Sequence, residues 1–207
     1  MSYSQFNQDI NILNFYNDKK NGFFVEAGAQ DGCNYSNSYY LEKNNNWNGI
    51  CVECNPYWYN KLCNNRKNTL NYNYALYNSD DDCLDFISDK IGGCSSILET
   101  NKNNDVLHNN EIIKVNTKKL TTILDMANAP SFIEFLSLDT EGSEYEILKS
   151  HDFNKYLFGY ICVEHNYIKE NREKIRSLLE SKGYIFYREN NVDDDYYHNS
   201  LKHNIML

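Results

Sequence analysis

The sequence predicts an α/β fold built on a mostly parallel central sheet with helices on both faces. Two observations predict it. Short apolar runs alternate with helical stretches along the chain, the pattern of repeated strand–helix–strand units. Several of those runs end in an acid followed by a turn, at Glu26, Glu53, Asp139 and Glu164. Ligands of open parallel sheets bind beyond such carboxyl ends.

The first unit runs from Gly22 to Glu53. Its opening strand, Phe23-Phe24-Val25-Glu26-Ala27, leads into Gly28-Ala29-Gln30-Asp31-Gly32, a turn with two glycines. A crossover helix is expected over 36–45, and Gly49-Ile50-Cys51-Val52 is the second strand. Pro56 suits a helix first turn and predicts a helix over 56–64. Residues 70–76 read as a third strand, and 84–87 and 111–115 as short ones. Between these lies a polar stretch, 89–110, containing Gly92-Gly93-Cys94-Ser95-Ser96. Its length suggests a lid. A helix over 120–127 and a buried strand over 132–138 follow, then a helix over 144–150 and a strand over 160–163. The amphipathic stretch 168–181 is a helix stopped by Gly183. Strands are expected at 184–187 and, at the edge, 204–207.

With 207 residues, 41% of them hydrophobic, the chain is expected to be one domain, 1–207, with a real core. A net charge of −9 argues against nucleic acid as the main partner. No apolar run is long enough to span a bilayer, so no membrane contact is expected. The start of the chain lacks signal-peptide regions, and seven cysteines without framework spacing suit a reducing, cytoplasmic setting. Cys51-x-x-Cys54 has no second pair to complete a zinc site.

The acid-bearing strand ends define the expected chemistry. Gly28-x-x-x-Gly32 is not the Gly-x-Gly-x-x-Gly turn that a pyrophosphate requires. Glu26 would repel a diphosphate and attract a cation, while Glu53 would accept hydrogen bonds from ribose hydroxyls. A nucleoside with a positive charge and no phosphates, S-adenosylmethionine, is the ligand expected. Asp139, Glu141 and Glu144 follow the apolar run ending at Leu138, and like charges so close call for something positive between them. Glu164-His165-Asn166 ends the next strand. His165 is the expected general base. Asp139, Glu164 and Asn166 offer oxygen ligands for Mg²⁺ or Mn²⁺.

These residues resemble the FkbM-type S-adenosylmethionine-dependent methyltransferases. The resemblance rests on Ser4-Gln5-Phe6-Asn7-Gln8-Asp9, Phe23 to Gly32, Ser36-Asn37-Ser38 with Leu41-Glu42-Lys43, and Trp47 to Glu53. It continues in Asp139-Thr140-Glu141-Gly142-Ser143-Glu144 and Val163-Glu164-His165-Asn166. Cys54-Asn55 stands where such proteins often have Pro-Asn. The resemblance implies a Rossmann-like class I methyltransferase fold and methyl transfer to an oxygen of a sugar, nucleotide-sugar, glycan or small metabolite. It implies a cofactor site drawn from Gln8, Asp9, Glu26, Gly28, Ala29, Asp31, Gly32, Ser36, Glu53, Cys54, Asn55, Ala75, Leu76 and Asp139, with residues 1–20 as a cofactor-side segment. The catalytic set implied is Asp139, Glu141, Glu164 and His165, and Ser95, Ser96, Glu144 and Asn166 would meet the acceptor. An NAD-dependent sugar oxidoreductase and a non-catalytic glycan-binding domain are the alternatives.

Overall fold

A computed structural model describes residues 2–91, 93–101 and 110–205. Its centre is a seven-stranded sheet formed by β1 (Phe23–Ala27), β2 (Asn48–Val52), β3 (Leu70–Tyr72), β8 (Phe132–Leu138), β9 (Leu157–Glu164), β10 (Tyr184–Asn190) and β11 (Asp193–His198). The order is β10-β11-β9-β8-β1-β2-β3. The pairs from β9 to β3 are parallel, and β11 joins β9 and β10 antiparallel. A second, four-stranded sheet holds β4 (Ala75–Leu76), β5 (Cys83–Ser88), β6 (Ser96–Ile97) and β7 (Glu111–Lys118), in the order β4-β7-β5-β6.

Strand alternation sends side chains to two cores. Val25, Ala27, Ile50, Val52, Leu136 and Leu138 face one side of the sheet. There they meet Leu120, Ile123 and Leu124 of α4 (Leu120–Met126), Ile147 and Leu148 of α5 (Glu144–Ser150), and Ile175 and Leu179 of α6 (Lys169–Ser181). Phe24, Cys51, Phe135, Tyr160 and Cys162 face the other side. They pack on Ile12, Leu13 and Phe15 of α1 (Gln8–Phe15), Leu41 of α2 (Tyr39–Asn45) and Leu62 of α3 (Pro56–Asn65). The predicted α/β class with helices on both faces is observed. Among the described residues no helix is long and apolar enough to cross a membrane. All seven cysteines are free.

Several boundaries differ for identifiable reasons. The strand expected over 70–76 is two strands in two sheets. Asn73 turns the chain between them, its Nδ2 donating to the carbonyls of Glu53 and Cys54. The crossover helix starts at Tyr39 rather than Ser36, because the Ser36 and Ser38 hydroxyls are committed to Glu26. Residues 199–205 form a 3-10 helix instead of continuing to an edge strand, and 206–207 lie outside the described residues. Helix α1 and strands β6 and β11 have no counterpart in the sequence reading. In the expected lid, 92 and 102–109 lie outside the described residues, and β6 occupies part of the remainder.

Candidate active site

The carboxyl ends of β1, β2, β8 and β9 open into a cavity of about 460 Å³, within the ~300–1,000 Å³ usual for small-molecule sites. Val52, Ala75, Leu76 and Phe86 give it an apolar wall, with Trp58 and Tyr74 beside them. Gly93, Cys94 and Ser95, which precede β6, and Ile97 of β6 close one side. Gln30, Tyr35, Glu141 and Asn166 all line the cavity with positive φ, a conformation that non-glycine residues adopt at a cost.

Glu53 ends β2 on this cavity. Its Oε2 accepts from the Gln30 backbone N–H at 2.8 Å and its Oε1 from that of Asn55 at 2.7 Å. A carboxylate oxygen has two lone-pair sites, so both oxygens retain capacity toward a ligand. Burial pushes the Glu53 pKa up to about 7, against the lowering effect of those backbone donors. Gly28 serves a purpose the sequence does not disclose. At φ 78° it lies against the backbone of Asp139, so the room it makes is for β8 rather than for a ligand.

Glu26 differs from expectation. Its carboxylate accepts from the Ser36 hydroxyl at 2.8 Å, the Asn37 backbone N–H at 2.6 Å and the Ser38 hydroxyl at 2.6 Å. The fully buried Arg66 guanidinium lies 3.6 Å away and also pairs with Glu42. The charge of Glu26 is thus answered from within the protein, and it holds the β1–α2 loop rather than a ligand cation. Arg66 leaves no signal in the sequence. It is a lone arginine in a polar stretch after α3.

Other expected cofactor residues are similarly engaged. Gln8 donates to Asp193 at 2.7 Å, and Asp9 accepts from Ser2, Tyr3, Ser4 and Ile10. Asp31 accepts from the backbone N–H groups of Cys33 and Asn34, and Gly32 gives its carbonyl to Arg66. Asn55 caps α3, and its amide donates to the carbonyl of Asp89 and to Ser95 Oγ. None of these five lines the cavity, whereas Glu26, Gly28, Ala29, Ser36, Glu53, Cys54, Ala75, Leu76 and Asp139 do. From the cofactor-side segment 1–20, Gln5 lines the cavity, and Ser4 bridges to Tyr35.

Asp139, Glu141 and Glu164 gather at the far end, with one oxygen from each within 4.8 Å of the others. Burial and then Asp139 raise the Glu164 pKa strongly. Burial and then Glu144 raise that of Glu141. Asp139 is reached by solvent through the cavity, which tempers the effect. Enclosure by protein and the charge of Glu141 still raise its pKa. Among the described residues no lysine or arginine lines the cavity.

A second cavity of about 440 Å³ adjoins the first, and Cys94, Glu141, Glu164 and Asn166 line both. Ser96, Thr100, Asn101 and Asn171 contribute hydroxyl and amide side chains to its walls. Glu144 and His165 line this second cavity; Glu144 is fully engaged, whereas of the two His165 ring nitrogens only Nδ1 has a hydrogen-bond partner. Glu144 accepts from Thr140 and Gly142 and so ties the turn after β8 together. His165 Nδ1 accepts from the Tyr167 backbone N–H at 3.0 Å, and its Nε2 faces Asp194 Oδ1 at 3.6 Å. Burial and the nearby Arg172 lower its pKa. The histidine expected as a base is therefore buried, with Nδ1 engaged by Tyr167 and Nε2 facing Asp194 without a hydrogen bond. The Asn166 amide donates to Glu141 Oε2 at 3.2 Å, so Glu141 joins the acid cluster where the sequence suggests Asn166.

The family model of the methyltransferase FkbM domain matches residues 26–186. Among solved structures, the chain is similar to human methyltransferase 10 domain containing protein. Identity is 11%, coverage is 92% of this chain and 81% of that one, and the TM-score is 0.51. The METTL16 MTase domain gives 11% identity, coverage of 91% and 65%, and a TM-score of 0.51. Precorrin-6y C5,15-methyltransferase from Geobacter metallireducens GS-15 gives 14% identity, coverage of 91% and 84%, and a TM-score of 0.49. No curated protein matches the sequence. The fold is that of the Rossmann-like class I methyltransferases.

Proposed function

The chain belongs to the methyltransferase FkbM domain family, and from that premise we propose that it methylates a hydroxyl oxygen of a sugar or similar polyhydroxylated small molecule, with S-adenosylmethionine as donor. The observation that carries this reading is the junction of the two cavities. One cavity has Val52, Ala75, Leu76 and Phe86 on one wall and a strand-end acid, the other presents the side chains of Ser96, Thr100, Asn101 and Asn171, and carboxylates stand between them.

The residues present suit the donor. Glu53 would accept from the ribose hydroxyls, and Ala75, Leu76, Phe86 and Trp58 would border the adenine. Bound there, S-adenosylmethionine supplies an electrophilic methyl group on a sulfonium. The acids at the cavity end favour that positive charge, a task that Glu26 leaves to Asp139, Glu141 and Glu164. Ser96, Thr100, Asn101 and Asn171 would orient the acceptor, and much of the rate gain would come from that positioning. Glu164 or Asp139, as the carboxylate, would take the hydroxyl proton as the new C–O bond forms. The electron pair of the broken S–C bond stays on sulfur. With no lysine or arginine lining either cavity among the described residues, a free or glycan-linked sugar suits the site better than a nucleotide diphosphate sugar. The turn packed on Asp139 likewise gives no support to an NAD-dependent reading.

The test combines cofactor binding with product analysis. S-adenosylhomocysteine binding is measured by calorimetry against NAD. The protein is then incubated with S-adenosylmethionine and a panel of sugars, glycosides and nucleotide sugars. The expected product carries one added methyl on oxygen. Methylation of nitrogen, or binding of NAD in preference to S-adenosylhomocysteine, would overturn the reading.

A further inference from the structure

The protein contains many buried acids, and most are answered by donors or arginines. Glu26 has Ser36, Asn37, Ser38 and Arg66. Asp194 has Arg172 and Arg176. Glu144 has Thr140 and Gly142. The cluster at the cavity junction is different. Glu164 is only 7% exposed, and its Oε2 has no hydrogen-bond partner. A buried carboxylate oxygen left unpaired is costly. It belongs to a group in which oxygens of Asp139, Glu141 and Glu164 all lie within 4.8 Å of one another.

We infer that Asp139, Glu141 and Glu164 form a binding site for a divalent cation at the junction of the two cavities. Three carboxylates with no imidazole or thiolate among them select a hard ion such as Mg²⁺, Mn²⁺ or Ca²⁺. Ligand oxygens on opposite sides of Ca²⁺ are about 4.6–5.2 Å apart and those across Mg²⁺ about 4.0–4.2 Å. A spacing of up to 4.8 Å lies within that limit for Ca²⁺ for one pair, and Mg²⁺ or Mn²⁺ requires the carboxylates to draw closer. Asn166 is not a ligand in this arrangement. Its Nδ2 donates to Glu141 Oε2, which orients the Glu141 carboxylate. Because Glu141 and Glu164 line both cavities, an ion held by them is within reach of an acceptor hydroxyl, whose pKa it would lower. Only this catalytic use rests on the methyl-transfer reading, and cation binding itself does not. The competing account of the cluster is a proton shared between Asp139 and Glu164.

The purified chain is titrated calorimetrically with Mn²⁺, and S-adenosylhomocysteine is titrated in parallel. The expected result is one saturable Mn²⁺ site per chain, displaced by Mg²⁺. Its affinity should fall about tenfold or more in Glu141→Gln and in Glu164→Gln, while S-adenosylhomocysteine still binds. The absence of saturable Mn²⁺ binding at millimolar concentration, or unchanged affinity in the variants, would overturn the inference. If the buried Glu164→Gln change prevents folding, Glu141→Gln at the more accessible position decides alone. Loss of S-adenosylhomocysteine binding by the unaltered chain would instead strike the methyl-transfer reading and leave the cation result standing.

Discussion

A Cβ placed on Gly28 would lie 1.6 Å from the carbonyl oxygen of Asp139. The turn after β1 and the end of β8 are thus in direct backbone contact, and the Asp139 N–H also donates to the Ala27 carbonyl at 3.1 Å. This contact sets Asp139 at the cavity's acidic end. Gly28→Ala should therefore both destabilise the protein and displace an acid of the site. Backbone strain at φ 78° and the clash together predict a loss on the order of 2–4 kcal/mol. Thermal unfolding and S-adenosylhomocysteine calorimetry measure the two effects. A variant with unchanged melting and unchanged affinity would show that the contact yields freely.

The buried Arg66 predicts a larger effect. Arg66→Met would leave Glu26 buried without its cation and Glu42 with only the half-exposed Lys43 at 3.5 Å, at a cost of about 3–5 kcal/mol in urea unfolding. The pH dependence carries a sign. Burial pushes the Glu42 carboxyl up, but Arg66 and the Thr69 hydroxyl outweigh it and hold the pKa below its ordinary 4.5. The pair's stability is present above about 4.5 and is lost as pH falls through the lower folded value. In Arg66→Met the acids gain by protonation, so the deficit against the unaltered chain should shrink toward low pH. A deficit that is constant with pH would reject the pairing.

The legible and illegible parts of this protein divide along a physical line. Apolar alternation and the acids that end strands are properties of neighbouring residues, so β1, β2, β8, β9 and the cavity they open can be read from the sequence. Whether an acid there is free depends on partners far along the chain. Glu26 meets Arg66 across 40 positions, and Gln8 meets Asp193 across 185. Strand β11 was hidden for the same reason. Asp193, Asp194 and Asp195 look like an exposed loop until Gln8, Arg172, Arg176 and Arg188 close on them. His165 reads as available in the sequence because nothing local shows that Tyr167 and Asp194 flank its ring.

Glu53 gives a pH signature in both stability and binding. Its pKa is raised from the ordinary 4.5 to about 7 by burial. The folded state then holds a proton that the unfolded state releases, so this group's contribution falls as pH rises from 4.5 to about 7 and is constant above. The span corresponds to a penalty on the order of 3 kcal/mol. Glu53→Gln should remove that slope from the stability–pH curve. Binding runs the other way, because the ribose hydroxyls need the carboxylate. S-adenosylhomocysteine affinity should weaken as pH drops below about 7, and Glu53→Gln should flatten that dependence. An unaltered slope in the variant would assign the titration to another acid.

The choice of base separates Glu164 from His165. Glu164 and His165 each keep one buried polar atom without a hydrogen-bond partner, Oε2 and Nε2, but Glu164 lines both cavities, whereas His165 lines only the second and its Nε2 faces Asp194 at 3.6 Å. Burial and Arg172 lower the His165 pKa, which leaves the ring neutral but a weaker base, while burial and Asp139 raise that of Glu164, which makes its carboxylate the stronger base once its proton is displaced by positive charge in the site. Assayed with divalent cations chelated, so that loss of a bound ion does not contribute, Glu164→Gln should lower turnover by roughly 10²–10⁴, the usual share of a general base. His165→Gln should cost less than about tenfold in turnover, with some loss of stability as the contacts with Tyr167 and Asp194 are disturbed. Initial rates of S-adenosylhomocysteine formation, measured for each variant once a methyl acceptor is in hand, separate the two. A collapse of turnover in His165→Gln beside a near-normal Glu164→Gln would return the proton to the histidine, and the ring would then have to leave Asp194 during the reaction.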